Sequence, residues 1–453
     1  MTRLTCTLLL LGFAAFVSAN ATRPPNVLLI YVDDLGYGDL ASFGHPVIET
    51  PHLDRLASSG MRLTNYYAPS ALCSPSRAAL LTGRHPYRVG IRSWIPANSG
   101  IFLADEEITL AEVLNGVGYA TALIGKWHLS SDLASAKEPQ PNDQGFGYFY
   151  GHNAFQLPTN RDPTNIYRDK QALPAQQGYT ADLYADEALR WLSKQNDKRP
   201  WFVMLSMAEP HTSIENPPAY NAMYSQFTQG EITPIPSGLP EPPKDKLIPR
   251  GPGEYYANIT YMDAQLGRVL EWVEADEQRR SQTLVVFASD NGPVTSNWIN
   301  WWEVNAYGST GGYRGRKHFL YEGGIRVPAI VRYPGVTEAG SVSNELVVGT
   351  DLFNTIIAAA GADVPADRVI DGVDASTVLR GGSMPERMVW WGLPGELEFA
   401  VRKGQWKLML NSEGMPRELY DLQSDPLELF NELQSQPEIV SRLKTLWEAA
   451  QTH

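Results

Sequence analysis

Four short apolar runs, each ending on polar or charged residues, constrain this chain more than any other feature. Asn26 to Val32 (NVLLIYV) runs into Asp33-Asp34, and Ala120 to Ile124 runs into Gly125-Lys126-Trp127-His128. Trp201 to Met207 (WFVMLSM) runs into Glu209-Pro210-His211, and Leu284 to Ala288 (LVVFA) into Ser289-Asp290-Asn291-Gly292. Unbroken apolar runs of this length read as strands buried on both faces. Helical patterns lie between them: a helix opened by Thr50 as cap and Pro51 at its first position, Ser76 to Thr82 stopped by Gly83, Thr109 to Asn115, Ala181 to Lys194, and Tyr255 to Ala275. This alternation predicts an α/β fold with a largely parallel sheet. Ligands of such sheets bind beyond the carboxyl ends of the strands, so charge gathered there marks a site rather than packing.

The flanks have a different texture. Arg3, the apolar run Thr7 to Val17, and small residues at Val17-Ser18-Ala19 or Ala19-Asn20-Ala21 read as a secretory signal peptide over residues 1–19. A catalytic domain is expected over 20–380. A small C-terminal subdomain over 381–453 would combine strands at Met388 to Trp391, Glu398 to Val401 and Trp406 to Met409 with a helix from Pro437 to Ala450. Pro217 to Gly253, rich in proline and glycine, reads as a surface excursion. Removal of Cys6 with the leader leaves Cys73 alone, hence no internal disulfide. A net charge of −13 argues against a general nucleic-acid binder. Beyond the leader, no stretch approaches the ~20 apolar residues of a membrane span.

Cys73-Ser74-Pro75-Ser76-Arg77 places a cysteine at a helix start, where backbone N–H groups favour an anion, with Arg77 one turn further along the same face. With Ala78-Ala79-Leu80-Leu81-Thr82-Gly83-Arg84 it resembles the signature of the type I, formylglycine-dependent sulfatases, the arylsulfatase A and N-acetylgalactosamine-6-sulfatase type. The resemblance continues in order through Asn26 to Gly36, Gly125-Lys126-Trp127-His128, Ser289 to Gly292, and Lys317 with Tyr321 to Pro328. It ends with Trp406-Lys407-Leu408, Glu418 to Leu422 and Asp425-Pro426. It implies an alkaline-phosphatase-like fold: a mixed, largely parallel sheet flanked by helices, with a small C-terminal α+β subdomain.

Asp33, Asp34, Asp290 and Asn291 are all oxygen donors, which suits Ca²⁺, with Mg²⁺ left open. None is Cys or His, so zinc is disfavoured. The resemblance implies that a maturation enzyme converts Cys73 to formylglycine, whose hydrate attacks sulfur. It further implies that Arg77 holds that group and the metal ligands, that Lys126 and Lys317 bind sulfate oxygens, that His128 takes a proton, and that His211 protonates the leaving alcohol. The cation and three basic residues outweigh three aspartates, so the pocket would attract a sulfate monoester inside an acidic protein.

Among the remaining residues, His152, His318, Trp301 and Trp302 are candidate substrate contacts, with Trp298 beside them. His45, His52 and His85 read as structural. Asn258-Ile259-Thr260 matches a glycosylation sequon inside a predicted helix. The expected substrate is a sulfated carbohydrate or aryl sulfate ester, met in a periplasmic or secreted location, or a lysosomal one if the source is eukaryotic. Two alternatives remain: a phosphomonoester, phosphodiester or phosphonate hydrolase on the same fold, and a catalytically silent binder of sulfated glycans.

Overall fold

The computed structural model describes residues 23–196, 198–227, 252–294 and 307–451. The expected leader with Cys6, residues 228–251 of the expected excursion, and Trp298, Trp301 and Trp302 lie outside these. A ten-stranded sheet dominates the chain. Its centre is Asn26–Val32, flanked in parallel by Thr283–Ser289 and Trp201–Ser206; Ala120–Lys126 and then Tyr148–His152 continue in parallel on the Trp201–Ser206 side. Antiparallel Ala329–Arg332 leads to the opposite edge. The five parallel strands therefore discharge their carboxyl ends along one rim. Tyr148–His152 (YFYGH) offers only three apolar residues before Gly151, a run too short to stand out in pattern reading.

The two-residue period of a strand sorts the core into two layers. Val27, Leu29 and Tyr31 pack with the helices Cys73–Thr82, Leu110–Gly116 and Gly349–Ala360. Leu28, Ile30 and Val32 pack on the other face with Pro51–Ser59, Thr180–Leu192 and Pro252–Glu274. Both faces are thus covered by helices, as a parallel sheet requires. Among the described residues, no helix is long and apolar enough to cross a membrane.

Two expectations are corrected by tertiary contacts. Thr50 occupies the N-cap position of Pro51–Ser59, but its hydroxyl does not cap the helix. Asp263, from the helix Pro252–Glu274, accepts from the His52 and Leu53 N–H groups at 3.1 and 2.8 Å instead. The Asn258 sequon is fully buried, its amide donating to Asn216 Oδ1 at 2.7 Å, so it offers no acceptor for a glycan.

The C-terminal sheet has four antiparallel strands: Met388–Gly392, Phe399–Lys403, Trp406–Leu410 and Pro416–Asp421, with helix Pro437–Gln451 packed on it. The fourth strand (PRELYD) is too polar to stand out as a run. A buried ion network joins this sheet to the main body. Lys407 Nζ lies 2.9 Å from Glu322 Oε1 and 2.8 Å from Glu428 Oε1, and Glu428 Oε2 accepts from the Glu322 N–H at 2.7 Å. Trp391 adds an indole hydrogen bond to the Ala68 carbonyl at 2.9 Å.

Asp263→Ala removes the acceptor shared by two helix-start N–H groups. It is expected to lower unfolding free energy by about 1–2 kcal/mol, read as a shifted denaturant midpoint.

Candidate active site

The rim of carboxyl ends gathers ten of the residues singled out above: Asp33, Asp34, Cys73, Arg77, Lys126, His128, His211, Asp290, Asn291 and Lys317, every one of them buried. Cys73 opens the helix Cys73–Thr82, whose ten residues are all buried and whose end is closed by Gly83 at φ +66°. One turn in, the Arg77 guanidinium reaches across the strand ends. Its Nε and Nη2 donate to Asp290 Oδ2 at 3.1 and 2.8 Å. Its Nη1 donates to the Lys126 carbonyl at 3.2 Å and to Ser206 Oγ at 2.6 Å. The Tyr31 ring faces it at 5.5 Å.

The other two cations are paired likewise. Lys126 Nζ bonds Asp33 Oδ2, and Lys317 Nζ bonds Asp34 Oδ1 at 2.5 Å while standing 3.6 Å from Cys73 Sγ. Asn291 Nδ2 donates to Asp34 Oδ1 at 2.7 Å, and Asp290 Oδ1 accepts from the Asp34 N–H at 3.1 Å. Burial penalises the Asp33 carboxylate, but Lys126 above all, with His211, Arg77 and Lys317, holds it well below the usual range. Burial, reinforced by Asp33, pushes Asp290 up to about 7 despite Arg77. Burial also pushes the Cys73 thiol up to about 11, so it is a thiol rather than a thiolate near neutrality.

A cation fits this set. Asp33 Oδ1, Asp34 Oδ2 and Asn291 Oδ1 are buried without hydrogen-bond partners. One ligand atom from each of Asp33, Asp34, Cys73 and His211 lies within 4.8 Å of the others. Unpaired buried oxygens are costly, and an oxygen-rich cradle satisfies them with a hard divalent ion. The backbone is shaped to the same end. Asp34, His128 and His318 adopt positive φ values of 65°, 56° and 74°, conformations that L residues hold only where the surroundings impose them. Gly125, at φ +113°, would place a Cβ 1.8 Å from the Ser206 carbonyl oxygen.

Carbonyl partners assign the histidine protons. His128 Nε2 faces the Ile95 carbonyl at 3.2 Å and so carries hydrogen, leaving Nδ1 buried with no hydrogen-bond partner and available as a base. His211 Nδ1 faces the Thr212 carbonyl at 2.9 Å, which turns Nε2 toward Asp34 Oδ2 at 3.6 Å. Burial lowers both histidines below their ordinary pKa.

The candidate contacts separate. His152, at the strand end opposite Lys126, is fully buried, with Nδ1 on the Tyr184 hydroxyl at 2.5 Å and Nε2 without a hydrogen-bond partner. His318 lines a 360 Å³ cavity with Leu72, Trp94 and Glu396. Trp301 and Trp302 lie outside the described residues. His85 stacks on Trp390 of the C-terminal sheet. Sequence reading missed Ser206, whose only signal is one hydroxyl ending an apolar run; it joins Arg77 to the Lys126 carbonyl, to which it donates at 2.7 Å. It also missed Asp39, which clamps the Gly36 and Ser309 N–H groups, each at 2.7 Å, and so ties the loop after Asp34 to the loop after Asn291.

Known proteins share this framework. Residues 25–362 match the family model described as Sulfatase, and residues 311–452 the one described as N-sulphoglucosamine sulphohydrolase, C-terminal. The chain is 34% identical to Arylsulfatase A of Homo sapiens, covering 97% of this chain and 89% of that protein. It is 33% identical to N-acetylgalactosamine-6-sulfatase of Canis lupus familiaris, covering 88% and 74%. Ps i-CgsB, crystallised with k-i-k-neocarrahexaose, is similar at a TM-score of 0.79 and 25% identity over 94% of this chain and 92% of that one. The PsFucS1 sulfatase from Pseudoalteromonas sp. is similar at 0.76 and 25%, over 95% and 90%.

Arg77→Met strips the buried Asp290 carboxylate of its cation. It is expected to cost about 3–5 kcal/mol of stability, seen as a large fall in the thermal midpoint.

Proposed function

The chain belongs to the sulfatase family and is a sulfuric ester hydrolase, and from that premise we propose that it desulfates a saccharide monoester using Ca²⁺ and a formylglycine made from Cys73. The observation that carries this reading is the convergence on Cys73 of Lys317, Asp33, Asp34 and His211, beside buried oxygens of Asp33, Asp34 and Asn291 that have no hydrogen-bond partner. Matured to formylglycine, residue 73 would supply a hydrated aldehyde as the oxygen nucleophile toward sulfur. The unmodified thiol is a poor substitute, since burial keeps it protonated. A divalent cation held by Asp33, Asp34, Asp290 and Asn291 would polarise the sulfate and favour the ionised nucleophile.

The chain's own residues then have separate tasks. Lys126 and Lys317, buried between Asp33, Asp34 and Cys73, hold sulfate oxygens where negative charge accumulates. Arg77 positions the strand ends that carry Asp290 and Lys126. His128, with Nδ1 free of hydrogen, is the base that would take a proton from a hydroxyl of the matured residue 73 and so favour release of sulfate. His211 acts as an acid in its doubly protonated form: with Nδ1–H on the Thr212 carbonyl, a proton taken up at Nε2, which faces Asp34 Oδ2, is the one passed to the leaving alcohol. A saccharide as that alcohol is supported by the similarity to a protein crystallised with a neocarrahexaose and by the 33% identity to an N-acetylgalactosamine-6-sulfatase. The leader reading supports export.

The decisive experiment is mass spectrometry of the tryptic peptide Leu63 to Arg77 from protein made in its native host, paired with a sulfate-ester assay. The expected result is an aldehyde at position 73, with turnover lost in Cys73→Ala and after chelation, and restored by Ca²⁺. An unmodified thiol in fully active protein overturns the reading.

The role of His211 has its own signature. His211→Gln should lower kcat on a saccharide sulfate by about 10²–10⁴-fold. It should lower kcat much less on 4-nitrophenyl sulfate, whose leaving group needs no proton. Equal losses on both would contradict the assignment.

A further inference from the structure

The proposed catalytic side chains are almost wholly enclosed: Lys126 and His128 are 1% exposed, and His211 is 5% exposed. Phe155 touches all three and is itself 41% exposed. Its ring centroid lies 5.3 Å from that of His211 and 6.4 Å from that of His128, and Lys126 Nζ stands 5.9 Å over its face. Among the described residues, no other exposed aromatic ring packs on these groups. The ring therefore leads from the buried charge cluster to solvent.

Its backbone is held rather than loose. Asn165 Nδ2 donates to the Phe155 carbonyl at 2.6 Å, and Asn165 Oδ1 accepts from the Leu157 N–H at 2.8 Å. Thr164 adds hydrogen bonds to the Leu157 carbonyl from its N–H at 2.5 Å and its hydroxyl at 3.0 Å. One asparagine amide thus fastens the loop on both sides of Gln156. An exposed apolar ring gains little for folding, and a ring on a fixed backbone is preorganised for contact.

We infer that Phe155 is a specificity-determining wall of the leaving-group subsite and that it takes the apolar C–H face of a pyranose. This rests on the role proposed above for His211. A residue that protonates the leaving oxygen must stand beside it, so a ring 5.3 Å from that acid and open to solvent meets the carbon skeleton bearing that oxygen. The electron-rich face of an aromatic ring is suited to the weakly positive C–H groups of a sugar. The ring carries no charge, so it contributes to recognition of the alcohol and nothing to recognition of the sulfate.

That separation gives the test. Matured, Ca²⁺-loaded wild type, Phe155→Ala and Phe155→Trp are assayed on a panel of hexose and N-acetylhexosamine monosulfates, with inorganic sulfate as competitive inhibitor. Phe155→Ala is expected to raise KM for the best saccharide ester about ten-fold. Its kcat and the inhibition constant of inorganic sulfate should stay within about two-fold, its thermal midpoint should hold, and Phe155→Trp should restore KM. Three results overturn the inference: an unchanged KM in Phe155→Ala, a sulfate inhibition constant that weakens in parallel, or a loss confined to kcat like that expected of His211→Gln. Wild type that hydrolyses no sulfate ester defeats the parent reading as well, whereas an active wild type with an indifferent Phe155→Ala defeats this inference alone.

Discussion

The guanidinium of Arg77 is the contact on which the site depends. From the helix Cys73–Thr82 it binds Asp290 beyond one parallel strand, the carbonyl of Lys126 at the end of a second and Ser206 at the end of a third, and it faces Tyr31 on the central strand. A fully buried arginine is tolerable only when its donors are met with good geometry. Meeting them here requires these strands to end in register, which places Cys73, the Asp33, Asp34 and Asp290 carboxylates and the two lysines around one point.

The arrangement is also an electrostatic balance. Arg77, Lys126 and Lys317 each pair with one of Asp290, Asp33 and Asp34, in a volume from which water is largely excluded. The carboxylate oxygens left without hydrogen bonds, together with the raised pKa of Asp290, mark where further positive charge is favourable. The strained backbone at Asp34, His128 and His318 lies beside the same point. Strain of this kind persists only when surrounding packing over-determines it, and the two core layers flanking the central strand supply that packing.

Much of this could be read from residue order. The run NVLLIYV before Asp33, or LVVFA before Ser289, announces a buried strand because both faces of a parallel strand must be apolar. The polar residues at their ends announce a ligand site because a core has no use for them. The strand Tyr148–His152 and the polar fourth strand Pro416–Asp421 were not readable in this way, because neighbouring strands rather than their own residues define them. The cap of Pro51–Ser59 misled for a related reason. Local chemistry nominated Thr50, while Asp263, more than two hundred residues away, reached the same N–H groups with two carboxylate oxygens. Ser206 and Asp39 stayed hidden because a lone serine or aspartate has no pattern, and each acquires its role only from a partner on a distant segment.

Residue order alone established the strand-helix alternation, the oxygen-donor chemistry of the acidic pairs and the cysteine-arginine spacing at a helix start. Each of these follows from local periodicity or from the valence of a side chain, which do not depend on where the chain goes. Proton placement on the two histidines, the pairing of each cation with its carboxylate, and the exposure of Phe155 beside buried His128 and His211 belong to the folded chain. They depend on distances between segments far apart in sequence, and a hydrogen bond or an excluded water exists only once those distances are closed.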